Sequence, residues 1–207
     1  MRVFINGLTI LVLTLAAAAG LTVAQAGTPA AVTQARTFID GMGGQVIGYL
    51  KDASLDQAEK KARLKGVLQS RFDMPTISRF ALGKYWKQMD AAQQAEYQSL
   101  FEAMVVSMYA ERFSTYSGQE FKVSDARADE KGDVTVASAI VDPAGGRKPI
   151  AVNWRVRIKD GAPQIIDVTI EDVSMIITQR AEFASIIQRS GGNAAAIIAH
   201  LRTRTGG

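Results

Sequence analysis

From Ile150 to Ile158 apolar and polar residues alternate strictly. Ile150, Val152, Trp154, Val156 and Ile158 leave one side of a strand, and Asn153, Arg155 and Arg157 leave the other, because successive strand side chains point to opposite faces. Asp160-Gly161-Ala162-Pro163 breaks the alternation as a turn. Beyond it Ile166, Val168 and Ile170 continue the apolar face on a second strand, with Asp167, Thr169 and Glu171 opposite. After Asp172 the period changes from two to about 3.6. Ile176, Ile177, Arg180, Phe183, Ala184 and Ile187 fall at helical spacing. A sheet with one wet and one apolar face therefore runs directly into a helix able to close over it.

The first half of the chain is helical in pattern. Thr28 to Asp52 carries the stripe Ala31, Ala35, Phe38, Ile39, Met42, Val46 and Leu50. Gly41, Gly43, Gly44 and Gly48 weaken this helix, each by up to about 1 kcal/mol relative to Ala, and flexible packing is the expected consequence. Ser54 with Gln57 three residues on has the form of a capping box. It predicts a second helix bearing Leu55, Ala58, Ala62, Leu64, Val67 and Leu68, and Lys51, Lys60, Lys61, Arg63 and Lys65 give this region a basic face. Asp73 is placed to cap a third helix whose first turn tolerates Pro75, and Gly83 ends or bends it. Asp90 with Gln93 opens a long helix from Ala91 to about Tyr116, striped by Tyr97, Leu100, Phe101, Met104, Val105, Met108 and Tyr109.

Glu120 to Ala126 and Asp133 to Val141 precede the Ile150 strand, joined by the turns Asp129–Gly132 and Pro143–Gly146. Short turns make sequential strands antiparallel neighbours. The expected architecture is α+β: helices packed on one face of a four-stranded antiparallel meander sheet. Gly191-Gly192 stops the closing helix, and Asn193 caps a short last one to about Arg202.

Composition narrows the chemistry. Residues 1–26 have the form of a secretory leader, with Arg2, an apolar run from Ile10 to Ala19 and the small-x-small site Ala24-Gln25-Ala26. No Cys follows the run to carry a lipid anchor, and no Arg-Arg pair precedes it. Residues 27–207 then form one domain, soluble and outside the cytoplasm. Without Arg2 there are 23 basic against 20 acidic side chains, net +3. That excess is mild and scattered, so nucleic acid is not an expected partner. With no Cys and one His, Cys/His zinc sites and Cys nucleophiles are excluded, and neither metal nor cofactor is expected. His200 lies near the terminus and is expected to be structural or solvent-facing. Asp167, Glu171 and Asp172 are the carboxylates clustered beside the apolar face. They are expected to be solvated strand-edge charges, with Asp172, which shares the parity of Ile170, the best candidate for acid–base work.

Several motifs together carry a resemblance. Phe72-Asp73-Met74, Ile77-Ser78-Arg79-Phe80 and Leu82-Gly83-Lys84-Tyr85-Trp86 resemble the MlaC family, also called the toluene-tolerance auxiliary proteins. The long helix, Val152-Asn153-Trp154-Arg155-Val156, Ile166-Asp167-Val168, Thr178 to Phe183 and Gly191-Gly192 continue the similarity in order through nearly all of residues 27–207. A hopanoid-associated branch shares much of this pattern.

The resemblance implies a cone-shaped α+β fold of the nuclear-transport-factor type, with an apolar ligand pocket. It further implies a periplasmic phospholipid carrier. Its partners would be an inner-membrane ABC transporter with a substrate-binding ring protein and an outer-membrane lipoprotein complex, and it would support outer-membrane lipid asymmetry. Candidate lipid-binding residues on the helices are Phe80, Tyr97, Phe101, Met104, Val105, Met108, Ile176 and Phe183. On the sheet they are Val136, Val152, Trp154, Val156, Ile166, Val168 and Ile170. Each buried methylene contributes about 0.8 kcal/mol, so one acyl chain of roughly 16 carbons costs on the order of 12 kcal/mol to bare in water. A carrier must hide such chains and needs no catalytic group. Alternatives are a carrier of hopanoid or another apolar ligand, an acid–base enzyme on an apolar substrate, and a structural partner that binds other chains only.

Overall fold

The computed structural model describes residues 27–113 and 116–205, with the backbone alone for 110–113. The expected leader, residues 1–26, lies outside the described residues. Among the described residues six α-helices, a 3-10 turn and five strands follow in order. The helical half holds α1 (Pro29–Lys51), α2 (Gln57–Arg71), α3 (Met74–Leu82), the 3-10 turn Gly83–Gln88 and α4 (Ala91–Phe113). The sheet follows as β1 (Glu120–Ala128), β2 (Val134–Val141), β3 (Ile150–Lys159), β4 (Ala162–Ile170) and β5 (Val173–Ser174). The chain closes with α5 (Met175–Arg189) and α6 (Ala196–Thr205).

Most helix boundaries follow from local hydrogen bonding. The Asp73 carboxylate accepts from Thr76 N at 3.0 Å and starts α3. Asp90 and Gln93 cap reciprocally at the start of α4. The box at α2 is displaced from Ser54 and Gln57: Asp56 accepts from Glu59 N at 2.8 Å and Glu59 answers to Asp56 N at 2.9 Å. Ser54 instead spends its hydroxyl on Asp52 in the preceding turn. Gly192, at φ +84°, lets its N–H reach back to Ile187 O at 2.9 Å and stop α5. The last helix runs beyond Arg202 to Thr205, with Ile197, Ile198 and Leu201 buried.

The sheet is an antiparallel meander in the order β1-β2-β3-β4-β5. It has five strands where four were expected. Glu171 and Asp172 both sit at positive φ, 46° and 64°. This two-residue turn matches the right-handed twist of its flanks and brings Val173–Ser174 back against Ile170 and Thr169. A strand of two residues cannot show alternation, which is why the sequence hides it.

A second departure is a bulge in β4. Arg155 faces Asp167, but Val156 faces Ile165, leaving Ile166 as the extra residue. Ile165 therefore takes the place opposite Val156 that simple parity gives to Ile166, and both isoleucines are buried.

Two apolar clusters result. In one, Ala35, Ile39 and Met42 of α1 and Val67 of α2 cover Val134, Val136, Val156 and Ile165 of the sheet. In the other, α3, the 3-10 turn, α4, α5 and α6 pack around Tyr97, Phe101, Phe183, Ile187 and Leu201. Each large side chain buried this way contributes about 1.5–3 kcal/mol. Phe72, between α2 and α3, packs against both clusters. There the chain bridges to the sheet, and Asp73 N donates to Ile165 O at 3.0 Å.

The sheet's polar side carries an ion network. Asp133, 3% exposed, accepts Arg157 Nε at 2.7 Å and Nη2 at 2.8 Å, and Arg155 Nη2 lies 2.8 Å away. Burial pushes the Asp133 carboxyl up, but the hydrogen bond and charge of Arg157, joined by Arg155, outweigh it and hold the group below its usual 3.8. A carboxylate whose folded value is depressed stabilises fully above its unfolded value, and that contribution is lost as pH falls through the folded one. Urea midpoints measured from pH 7 downward should therefore show a smaller acid loss below 3.8 in Asp133→Asn than in the wild type.

The glycines of α1 divide by environment. A Cβ on Gly43 would lie 2.1 Å from Phe121 Cδ1 and 2.8 Å from its Cγ, so the β1 ring seats directly on the helix backbone. Close approach, rather than flexible packing, explains this position. Gly44 faces open space. Gly44→Ala should raise the unfolding free energy by about 0.4–1 kcal/mol, whereas Gly43→Ala should lower it by about 1–3 kcal/mol through overpacking. Chemical denaturation of both variants checks the pair.

Candidate functional site

The sheet face that meets the helices is apolar because its positions alternate, and its one indole is satisfied locally. Trp154 Nε1 donates to Ser138 Oγ at 2.8 Å, and that hydroxyl donates to Val152 O at 2.8 Å. Trp154 stands between two rings, with Phe72 centred 6.5 Å away and Phe121 6.1 Å away, both edge-on. In the helical cluster, Tyr97, Phe101 and Phe183 form an aromatic trio with centroids 5.9 to 6.2 Å apart. Tyr97 is wholly buried and donates its hydroxyl to Ser78 O at 2.8 Å. Burial pushes that phenol far above its ordinary value, so it stays neutral.

The candidate lipid-binding residues divide between these surfaces. Tyr97, Phe101, Met104 and Phe183 belong to the helical cluster, with Val105 and Ile176 half-buried against it. Val136 and Val156 belong to the sheet cluster, with Trp154 and Val168 half-buried beside them. Val152 and Ile166 are buried outside either cluster, and Ile170 and Met108 are half-buried. Phe80 is 42% exposed, while its carbonyl accepts from Arg180 Nε at 2.7 Å. Phe72 and Ile165 complete the junction and were absent from the sequence candidates. Phe72 opens a recognised motif but shows no periodicity, and Ile165 is concealed by the bulge.

Two of the three carboxylates serve the backbone. Asp167 is no solvated edge charge: Oδ2 accepts Ser174 Oγ at 2.7 Å and Oδ1 accepts Ile176 N at 3.3 Å. It holds the first turn of α5, where a negative charge suits the exposed N–H groups. Glu171 accepts Ala151 N at 2.6 Å. Asp172 is exposed at the tip of the β4–β5 turn, because parity does not carry through a left-handed turn. His200 sits on α6, which packs along α4, and its Nε2 is buried without a hydrogen-bond partner.

A half-open cleft of about 630 Å³ lies between α2, α3 and α4, lined by Lys61, Lys65, Pro75, Gln98, Glu102 and Val106 among others. None of the candidate lipid-binding residues lines it. Among the described residues no helix is long and apolar enough to cross a membrane.

The model of the family described as "MlaC protein" matches residues 42–203. The chain belongs to the MlaC family. Among solved structures, it is similar to a phospholipid-binding protein from Ralstonia solanacearum determined in complex with a phospholipid. The two are 22% identical, with a TM-score of 0.72 over 84% of this chain and 97% of that one. The likeness is one of fold.

Asp167 and Asp172 make opposite predictions in this MlaC-family fold. Asp167→Asn removes a charge-assisted cap and should cost about 1–2 kcal/mol of unfolding free energy. Asp172→Asn should stay within about 0.5 kcal/mol of the wild type. Urea denaturation of the two variants is the check.

Proposed function

We propose that this MlaC-family protein is a periplasmic phospholipid carrier, exported by its leader as a single domain of residues 27–207. The observation that carries the reading is the shared fold with a protein solved holding a phospholipid. The apolar sheet face, with Trp154 and Val168 half-buried on it, and the aromatic helical cluster that meets it at Phe72 support it. Acyl chains would lie between the two clusters, against Val152, Trp154, Val168 and Ile170 on one side and Met104, Val105, Ile176 and Phe183 on the other. Separation of these surfaces is the motion that loading requires. The lipid would pass between an outer-membrane lipoprotein complex and an inner-membrane ABC transporter with its ring protein, in support of outer-membrane lipid asymmetry.

A carrier works through burial spread over many contacts, so no single acid or base is needed. The carboxylates beside the apolar face are engaged in folding or exposed at a turn tip, which favours transport over acid–base catalysis.

Native mass spectrometry of the purified protein should reveal a co-purifying diacyl phospholipid. Val168→Arg places an unpaired charge where the tails lie, which is heavily penalised, and lipid occupancy should fall by at least about tenfold. Circular dichroism separates this from unfolding. A folded variant with its full lipid load overturns the assignment of the face, and a wild type with a packed, empty core overturns the carrier reading.

A further inference from the structure

Five large apolar side chains stand exposed among the described residues: Phe80, Ile140, Ile150, Val173 and Ile177. They gather at one end of the fold. Ile140 lies directly opposite Ile150, and Val152, two residues on, faces Ile170, which in turn faces Val173. Directly opposed residues share a face, so this is the continuation of the apolar sheet face beyond the cover of α1 and α2. Ile177, 66% exposed, follows in the first turn of α5. Arg180, one turn later, binds the Phe80 carbonyl and so brings α3 to the same rim.

Charge is distributed around that rim unevenly. Residues 74–88, which include α3 and the 3-10 turn, hold Arg79, Lys84 and Lys87 and no Asp or Glu. Arg79 and Lys84 lie over the Trp86 and Tyr85 rings, and among the described residues neither they nor Arg180 form an ion pair. Arg147 and Lys148 precede Ile150 on the sheet side. Of the nearby carboxylates, Glu171 is bound to Ala151 N, Asp142 caps its own turn at Ala144 N and Glu182 pairs with Arg204. Asp172 alone is exposed without such a bond.

From this arrangement we infer that the rim is a membrane-docking surface that seats on an anionic phospholipid bilayer. Ile177, Val173 and Phe80 would enter the interfacial layer while Arg79, Lys84 and Arg180 meet lipid phosphates. Single apolar side chains interspersed with cations suit a headgroup layer, whereas the buried centre of a protein–protein interface is depleted of Lys. The inference rests on the carrier reading and gives it a reason: an acyl chain can pass the apolar rim into a bilayer without crossing water.

Vesicle flotation tests it, using the full chain from residue 27 and phosphatidylcholine vesicles with or without about one-third phosphatidylglycerol. The wild type should float with the anionic vesicles and release at high salt. Ile177→Asp and Lys84→Glu should each weaken binding by about tenfold. Lys131→Glu makes the same charge change in the β1–β2 turn, at the other end of the sheet, and should leave binding within about twofold. Absence of flotation overturns the docking surface, as does wild-type binding by the two rim variants, or an equal loss in Lys131→Glu. Lipid extracted from the same preparations keeps the two readings apart. An empty wild type that floats counts against the carrier alone, and a loaded one that does not float counts against the rim alone.

Discussion

The fold depends on the contact between its two apolar clusters at the end of α2. There Asp73 N donates to the Ile165 carbonyl while the Phe72 ring meets Trp154 edge-on. One backbone hydrogen bond is modest, with a net contribution of about 0.5–1.5 kcal/mol. Its position makes it decisive, since it fixes the start of α3 to the sheet beside Phe72, which packs against both clusters. The bulge that leaves Ile166 unpaired presents Ile165 at this point.

Polar groups near the apolar face are satisfied inward, which keeps that face free of competing chemistry. Trp154 spends its N–H on Ser138, Tyr97 its hydroxyl on Ser78, and Asp167 both oxygens on the start of α5. A buried polar group without such a partner costs about 1–3 kcal/mol. The surface on that side is consequently one of hydrocarbon and ring. The strong charges lie elsewhere, in the Asp133 network on the outer face and in the cations around the rim.

Local features are legible in the order of the residues alone. Strict alternation at Ile150–Ile158 specifies a half-covered strand, because a side-chain period of two admits no other placement. Asp73 and Asp90 announce helix starts through a carboxylate within reach of an N–H three residues on. Asp160-Gly161, at φ 51° and 79°, makes its hairpin through residues that tolerate the left-handed region. The motifs from Phe72 to Trp86 and from Val152 to Val156 carry the family. In each case the physics is confined to neighbours along the chain.

What the tertiary structure decided involves partners distant in sequence. Gly43 and Gly44 are the same residue type one position apart, and only the arrival of Phe121 distinguishes them. Parity placed Ile166 on the core face, but the pairing of β3 with β4 absorbed one residue and put Ile165 there. Asp167 reads as an edge charge until α5 folds back onto it, and Phe80 reads as core until α3 turns its ring to the rim. The candidate residues were chosen for apolar character, which is local. Their division between two clusters depends on which surfaces approach in space, a property that periodicity along one chain does not contain.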